Sequence, residues 1–377
     1  MRLTATVLSP AEQQLQGEVR TFLDERLPPG SYPLGLGMAG AVDPEFSRDL
    51  GKRGWLGMSL PKEYGGGGRT AVERLLVVEE LLARGAPVGH HWIADRQSGP
   101  NIAMNGTEAL KREILPGIAS GEYSFAIGMS EPDSGSDLAS LRTRAEPDGG
   151  GWRVNGTKVW TTGADTATHI LALFRTSDDR HGGLTQFVVD RHTPGLTVSP
   201  IPFIDGTADF CEISFDDVRV PDGRRLGEVG AGWAQNTSEL ALERGGVDRW
   251  MSLMPVLGHW ARQQGADPDP DPDAVAALGS ITARCWAFRQ MSLAVARAVD
   301  AGESPVTEAA LVKEMACRFE QECVDVVARH LGRAPDPGSS DPYEALLARA
   351  VLVSPSWTIR GGTTEILRSV IAKGLRR

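Results

Sequence analysis

The chain of 377 residues is longer than one compact core usually holds, and its 41% hydrophobic content is ordinary for a globular protein, so two or three packed subdomains are expected. A net charge of −10 argues against a general nucleic-acid or membrane binder, and an anionic ligand would need a local basic site. The four cysteines, Cys211, Cys285, Cys317 and Cys323, lack paired metal-ligand spacing, no signal segment precedes them, and no apolar run is long enough to span a bilayer. Reduced thiols in a cytoplasmic protein are the expectation.

Ser9-Pro10-Ala11-Glu12 reads as a capping box with Pro at the first helical position, and Leu15, Val19, Phe22, Leu23 and Leu27 follow at helical spacing. Gly35-Leu36-Gly37-Met38-Ala39-Gly40 matches the GxGxxG pattern, but no strand-like run precedes it and no acidic residue follows at the expected distance. It is expected to be a flexible Gly-rich connection. Arg69 to Ala83 and Thr107 to Leu115 read as helices, the second stopped by Pro116 and Gly117.

The pattern then changes. Trp152 to Trp160 is expected to form a hairpin turning at Asn155-Gly156, and strand-like runs follow at His169–Arg175, Leu184–Asp190, Leu196–Ile201 and Phe210–Val220. In the last run Phe210, Glu212, Ser214 and Asp216 alternate with Cys211, Ile213, Phe215 and Asp217. Short strands separated by turns predict an antiparallel barrel or sandwich. From Trp233 helical patterns return, with a Pro-rich loop over Asp267–Asp273 and helices over Ala276–Asp300, Pro305–Leu331, Asp341–Val353 and Thr364–Lys373.

Chemistry concentrates in two runs. Met129-Ser130-Glu131-Pro132-Asp133-Ser134-Gly135-Ser136-Asp137 is dense in turn formers and hydroxyls, which suits the pyrophosphate or ring edge of a cofactor. Lys158-Val159-Trp160-Thr161-Thr162-Gly163 sets an aromatic wall beside two hydroxyls. The seven histidines show no metal-binding spacing, and no Gly-x-Ser-x-Gly elbow supports a hydrolase.

Met129–Asp137 and Trp160–Gly163 resemble the two flavin-facing segments of the acyl-CoA dehydrogenase family. Phe210–Pro221, Leu242-Glu243-Arg244 and Arg360-Gly361-Gly362-Thr363-Thr364-Glu365-Ile366 match further family segments in the same order. The resemblance implies an α+β fold: an N-terminal helical domain over 1–122, a central antiparallel β-barrel or sandwich over 123–232 and a C-terminal four-helix domain over 233–377. It implies FAD as cofactor and oxidation of an acyl-CoA to the trans-2-enoyl-CoA. A carboxylate removes the α-proton while hydride leaves the β-carbon for flavin N5. In the family, a ribityl hydroxyl and a backbone N–H stabilise the enolate-like oxygen.

Many members carry the base immediately before the Gly-Thr of the C-terminal motif, where this chain has Gly361. A subset resembling isovaleryl-CoA and steroid side-chain dehydrogenases carries it on an earlier helix, just before an Arg. Glu243-Arg244 matches, so Glu243 is expected to be the base, with Glu239 one turn earlier in reserve. Carried over residue by residue, Met129, Ser130 and Ser136 contact the flavin, and Trp160, Thr161 and Thr162 wall its ring with Thr162 near N5. Gly361, Gly362, Thr363 and Glu365 contact the rest of the cofactor. Ser136 and Arg244 are also expected to contact substrate. Arg262-Gln263-Gln264-Gly265 is the nearest match to an Arg-x-x-Phe-Gly segment that reaches FAD in a neighbouring subunit, but it lacks the Phe.

An electron-transfer flavoprotein is the implied electron acceptor, and a homo- or hetero-oligomer, a dimer of dimers, the implied assembly. The missing Glu at Gly361 and the imperfect Arg262 motif leave two alternatives open. One is a non-catalytic or flavin-sharing subunit of a heteromeric enzyme. The other is a flavin oxidase or monooxygenase on the same fold.

Overall fold

Hydroxyl and carboxylate caps set most of the helix starts in the computed structural model, which describes the chain except Met1, Arg2, Ala39 and Arg377, and describes residues 238–243 by their helical backbone alone. Helices α1 (Pro10–Arg26), α2 (Pro44–Lys52), α3 (Ala71–Arg84), α4 (Gly99–Asn105) and α5 (Glu108–Ala119) come first. The strands are β1 (Phe125–Gly128), β2 (Arg144–Asp148), β3 (Gly151–Thr162), β4 (His169–Arg175), β5 (Leu184–Asp190), β6 (Leu196–Ile201), β7 (Phe210–Pro221) and β8 (Arg225–Leu226). Helices α6 (Gly232–Glu243), α7 (Met254–Ala266), α8 (Pro272–Asp300), α9 (Val306–His330), α10 (Pro342–Val353) and α11 (Thr364–Leu375) complete the chain. Two compact units result: Met1–Ala41 with Thr70–Val88 and Ala241–Arg377, and Val42–Arg69 with Gly89–Leu240.

The second unit is built on one eight-stranded sheet, in the order β6-β7-β3-β2-β4-β5-β8 with β1 beside β4. Most neighbours are antiparallel, but β1 and β2 both run parallel to β4, so the sheet is mixed. One apolar cluster on it centres on Val154, Ile170, Phe174, Phe187 and Ile213. Leu171 and Val188, alternating with Ile170 and Phe187 on the strands, instead join Ile114, Leu115 and Ile118 of α5.

In the first unit, capping boxes start α1 and α3: Ser9 and Glu12 exchange hydrogen bonds, as do Thr70 and Glu73. Buried carboxylates then join these helices to α8. Arg289 of α8 donates twice to Glu79, at 2.6 and 2.9 Å, and Arg297 of α8 pairs with Glu12 at 2.7 Å. Val295 of α8 packs with Ala309 and Val312 of α9. Among the described residues no helix is long and apolar enough to cross a membrane.

Several local expectations are corrected. The hairpin turn is Gly149-Gly150, with φ of 56° and 93° as a two-residue primed turn demands, and Asp148 pairs with Gly151 across it. Asn155-Gly156 lies inside β3 as a bulge, where Asn155 Oδ1 accepts from the Asp217 N–H at 2.9 Å. The β7 alternation slips one residue at Asp217 (φ 54°), so Val218 and Val220 are buried and Asp217 is exposed. Pro116 and Gly117 do not end their helix, which runs on to Ala119. Buried Leu115, Ile118 and Ala119 hold that turn, and Gly117 leaves room for the Tyr123 ring. The expected flexible connection is packed at both of its ends: the Gly35 N–H donates to Gly85 O at 2.9 Å, and a Cβ at Gly40 would stand 2.9 Å from Ala86 O.

A Cβ at Gly156 would lie 2.6 Å from Thr143 Oγ1, on a backbone with φ 142°. Gly156→Ala is expected to cost about 1–3 kcal/mol by urea denaturation. Gly149→Asn suits the turn and has open space around its Cβ, and is expected to stay within about 0.5 kcal/mol of the parent.

Candidate active site

In the sheet-bearing unit, the loop after β1 is held from beneath by a buried ion pair. Lys158 is 0% exposed, and its Nζ donates to Glu131 Oε1 at 2.7 Å and to Met129 O at 3.1 Å. The Glu131 carboxylate also accepts from the Arg142 and Thr143 amides at 2.6 and 2.9 Å. Burial pushes the Glu131 carboxyl up, but Lys158 and the two amides outweigh it and hold it below its usual range. Burial brings the Lys158 ammonium down to about 8, so the pair is charged at neutral pH.

Glu131 and Ser134 exchange both backbone hydrogen bonds around the exposed tip Pro132-Asp133, and Ser134 Oγ donates to Asp137 O at 2.9 Å. Ser130 O accepts from the Val159 N–H at 2.9 Å, which ties the loop to β3. Ser136 is exposed, and the half-buried Met129 side chain packs against Leu141, Leu173 and Leu184.

At the end of β3, the register against β7 breaks between Lys158 and Thr161. Trp160 takes up the break with a left-handed φ of 59°, which costs a non-glycine residue about 1–2 kcal/mol, and its side chain is 56% exposed. An exposed aromatic held in a strained backbone points to a functional surface. Phe210 supports it edge-on, with ring centroids 6.3 Å apart, and Phe203 packs on Phe210 at 5.2 Å. Thr161 is fully buried and its hydroxyl has no hydrogen-bond partner among the described residues, while Thr162 is exposed. Exposed Trp160 and Thr162 beside the hydroxyl-bearing loop fit an aromatic ring system with polar edges.

The other unit holds the C-terminal motif. Gly361 and Gly362 have φ of 70° and 105°, conformations that favour glycine, and a Cβ at Gly362 would lie 3.3 Å from Arg244 Nη2. Cations grip this turn through its carbonyls. Arg244 Nε donates to Gly361 O at 3.2 Å, Arg249 Nη1 to Arg360 O at 3.4 Å, and Lys313 Nζ to Gly362 O at 2.6 Å and Thr358 O at 3.2 Å. Arg360 in turn reaches Glu320 at 2.7 Å, and Glu320 accepts from the Ser252 amide. Asp248 faces Arg249 at 3.1 Å. Burial lowers Lys313 to about 8, with the neighbouring arginines adding to it, and burial raises Glu320 above its usual range despite Arg360.

The structure thus brings Gly361, Gly362 and Arg244 together, with the Arg244 guanidinium buried against the glycine turn. Thr363 caps α11, its hydroxyl accepting from the Ile366 N–H at 3.4 Å. Glu365 is exposed and turned back on its own amide and the Thr363 hydroxyl, which lower its pKa. Arg262 is exposed on α7 and lies along its own helix over Gly258. The side chains of Glu243 and Glu239 lie outside the described residues. Lys313 and Glu320 escaped sequence reasoning. Their signal was available: two charges seven residues apart on the α9 face that also carries Val312, Ala316 and Phe319.

Three family models cover the chain in order. The N-terminal, middle and C-terminal domains of acyl-CoA dehydrogenase match residues 9–122, 126–218 and 230–376. Acyl-CoA dehydrogenase FadE29 of Mycobacterium tuberculosis is 33% identical over 97% of this chain and 96% of its own length. The chain belongs to the acyl-CoA dehydrogenase family. It is therefore an oxidoreductase of a generally flavin-dependent class that dehydrogenates acyl-CoA thioesters. Mitochondrial isovaleryl-CoA dehydrogenase of Pongo abelii is 30% identical over 97% of this chain and 89% of its own. The solved structure of the Tcur3481-Tcur3483 steroid ACAD matches with a TM-score of 0.85 and 30% identity, covering 100% of this chain and 99% of that one.

Because Glu131 titrates below its usual 4.5, the stability it adds is present above that pH and is lost as pH falls through its folded value. Glu131→Gln is expected to flatten the acid side of the stability–pH curve below about pH 4.5. Lys158→Met, which leaves a buried carboxylate alone, is expected to cost about 3–5 kcal/mol by urea denaturation at pH 7, and Glu131→Leu added to it to recover most of the loss.

Proposed function

We propose that this protein catalyses FAD-dependent α,β-dehydrogenation of an acyl-CoA thioester to the trans-2-enoyl-CoA. The observation that carries the reading is Trp160, an exposed aromatic on a left-handed backbone beside the hydroxyl-rich loop over Met129–Asp137. In it Met129, Ser130, Ser136, Trp160, Thr161 and Thr162 hold the flavin ring and its neighbouring groups. Gly361, Gly362, Thr363 and Glu365 hold the rest of FAD, with Arg262 reaching the cofactor of a neighbouring subunit. When bound, FAD supplies the hydride acceptor.

Glu243 removes the α-proton. Gly361 supports that assignment, since the place where many relatives carry the base has no side chain here. The isovaleryl-CoA and steroid relatives support membership of the subset with the earlier base. Arg244 and Ser136 are assigned to substrate, and electrons pass to an electron-transfer flavoprotein in a cytoplasmic oligomer. The division into domains at 1–122, 123–232 and 233–377 belongs to the same proposal.

A second reading is favoured by one finding. The steroid enzyme above is named for a pair, Tcur3481-Tcur3483. A heteromeric partner that shares or lacks flavin is consistent with the missing Glu at Gly361.

Visible absorbance of the protein purified alone, followed by anaerobic addition of an acyl-CoA panel, separates the two. Flavin bands that bleach with one thioester are the expected outcome, and that thioester identifies the acyl class. Glu243→Gln is expected to retain flavin and bleach about 10²–10⁴-fold more slowly. A protein that stays colourless with added FAD decides for the partner-subunit reading. Bleached enzyme that reoxidises within seconds in air decides for an oxidase.

A further inference from the structure

The glycine turn before α11 is gripped by cations at three successive carbonyls. The carbonyls of Arg360, Gly361 and Gly362 accept from Arg249, Arg244 and Lys313, respectively. In a planar trans peptide, the N–H points opposite to the carbonyl of the same unit. The amides on the reverse of these three peptides belong to Gly361, Gly362 and Thr363, so they face away from the cations. No acceptor among the described residues takes any of the three. The turn runs directly into the N-terminus of the 12-residue helix α11, whose dipole adds partial positive charge on the same stretch.

Lys313 is the part of this arrangement with the widest grip. It lies on α9, is 0% exposed, and spans the turn by taking the Thr358 carbonyl at its start and the Gly362 carbonyl at its end. Neither Gly361 nor Gly362 has a side chain to set the turn, and both occupy φ values that other backbone conformations would readily replace. A buried ammonium is costly unless its protons find partners, and Lys313 finds two of them on the carbonyls of this one turn.

We infer that Lys313 is a positioning residue for the dehydrogenation: by holding the Thr358 and Gly362 carbonyls, it presents the amides of Gly361–Thr363 to the carbonyl oxygen of the substrate thioester. Negative charge builds on that oxygen as the α-proton leaves, and donors fixed in advance stabilise it without reorganising. Lys313 does not touch the substrate; it acts through the peptides that it holds. The inference rests on the dehydrogenase reading above.

The test uses the full chain and acetyl-CoA labelled with ¹³C at the thioester carbonyl, which has no β-carbon and cannot be dehydrogenated. Difference infrared spectra of the bound probe are expected to show its carbonyl band lowered from the solution value in the parent, and returned at least halfway in Lys313→Met. With the thioester that bleaches the parent, Lys313→Met is expected to lower kcat about 10²-fold with KM within about threefold and flavin content unchanged. Lys313→Gln keeps a neutral N–H on a shorter stem and is expected to retain part of the band shift. It carries the comparison if Lys313→Met does not fold.

An unmoved band with kcat within about threefold of the parent overturns the proposal. So does a fall in Tm and flavin content that accounts for the whole loss of kcat while the band stays put, because Lys313 is then structural only. If the parent itself neither bleaches with any acyl-CoA nor shifts the acetyl-CoA band, the dehydrogenase reading fails first and takes the positioning role with it.

Discussion

The Lys158–Glu131 pair is the interaction on which the rest of the sheet-bearing unit depends. Two opposite charges taken out of water are costly unless every lone pair and proton finds a partner. Here the carboxylate takes an ammonium and two backbone amides, and the ammonium takes the carboxylate and the Met129 carbonyl. An apolar pair could fill the same space, but it could not name which carbonyl and which amides meet. The pair therefore fixes one register of the Met129–Asp137 loop against β3, and that register decides where Ser130, Ser136 and Trp160 stand.

The other unit solves a similar problem with the charges inverted. Around the glycine turn the protein uses cations to bind backbone carbonyls, and Asp248 and Glu320 pair with Arg249 and Arg360. Arg244, Arg249 and Lys313 are buried, so they contribute little to the field seen by a distant anion.

Much of this was legible beforehand, for identifiable reasons. β4 and β5 were found at their true limits because continuous apolar runs bounded by polar turns have few other solutions. The two segments around Met129 and Trp160 were legible because their turn formers and aromatic have a recognisable order. β2 was missed because Arg144–Asp148 carries two acids, an Arg and a Pro, and earns its place only through pairing with β3. The hairpin was misplaced because Asn-Gly is a strong local signal, yet Thr143 and Asp217 impose a bulge there by contacts distant in sequence. The cationic grip on Gly361–Gly362 was invisible for the same reason: it joins residues more than 40 positions apart.

The left-handed backbone at Trp160 has a consequence for how the protein can change. A glycine at that position would relieve the strain and stabilise the fold, while removing the aromatic surface that the position displays. Stability and display therefore pull in opposite directions at a single residue. A search for more heat-resistant versions would reach this residue early and should leave it untouched.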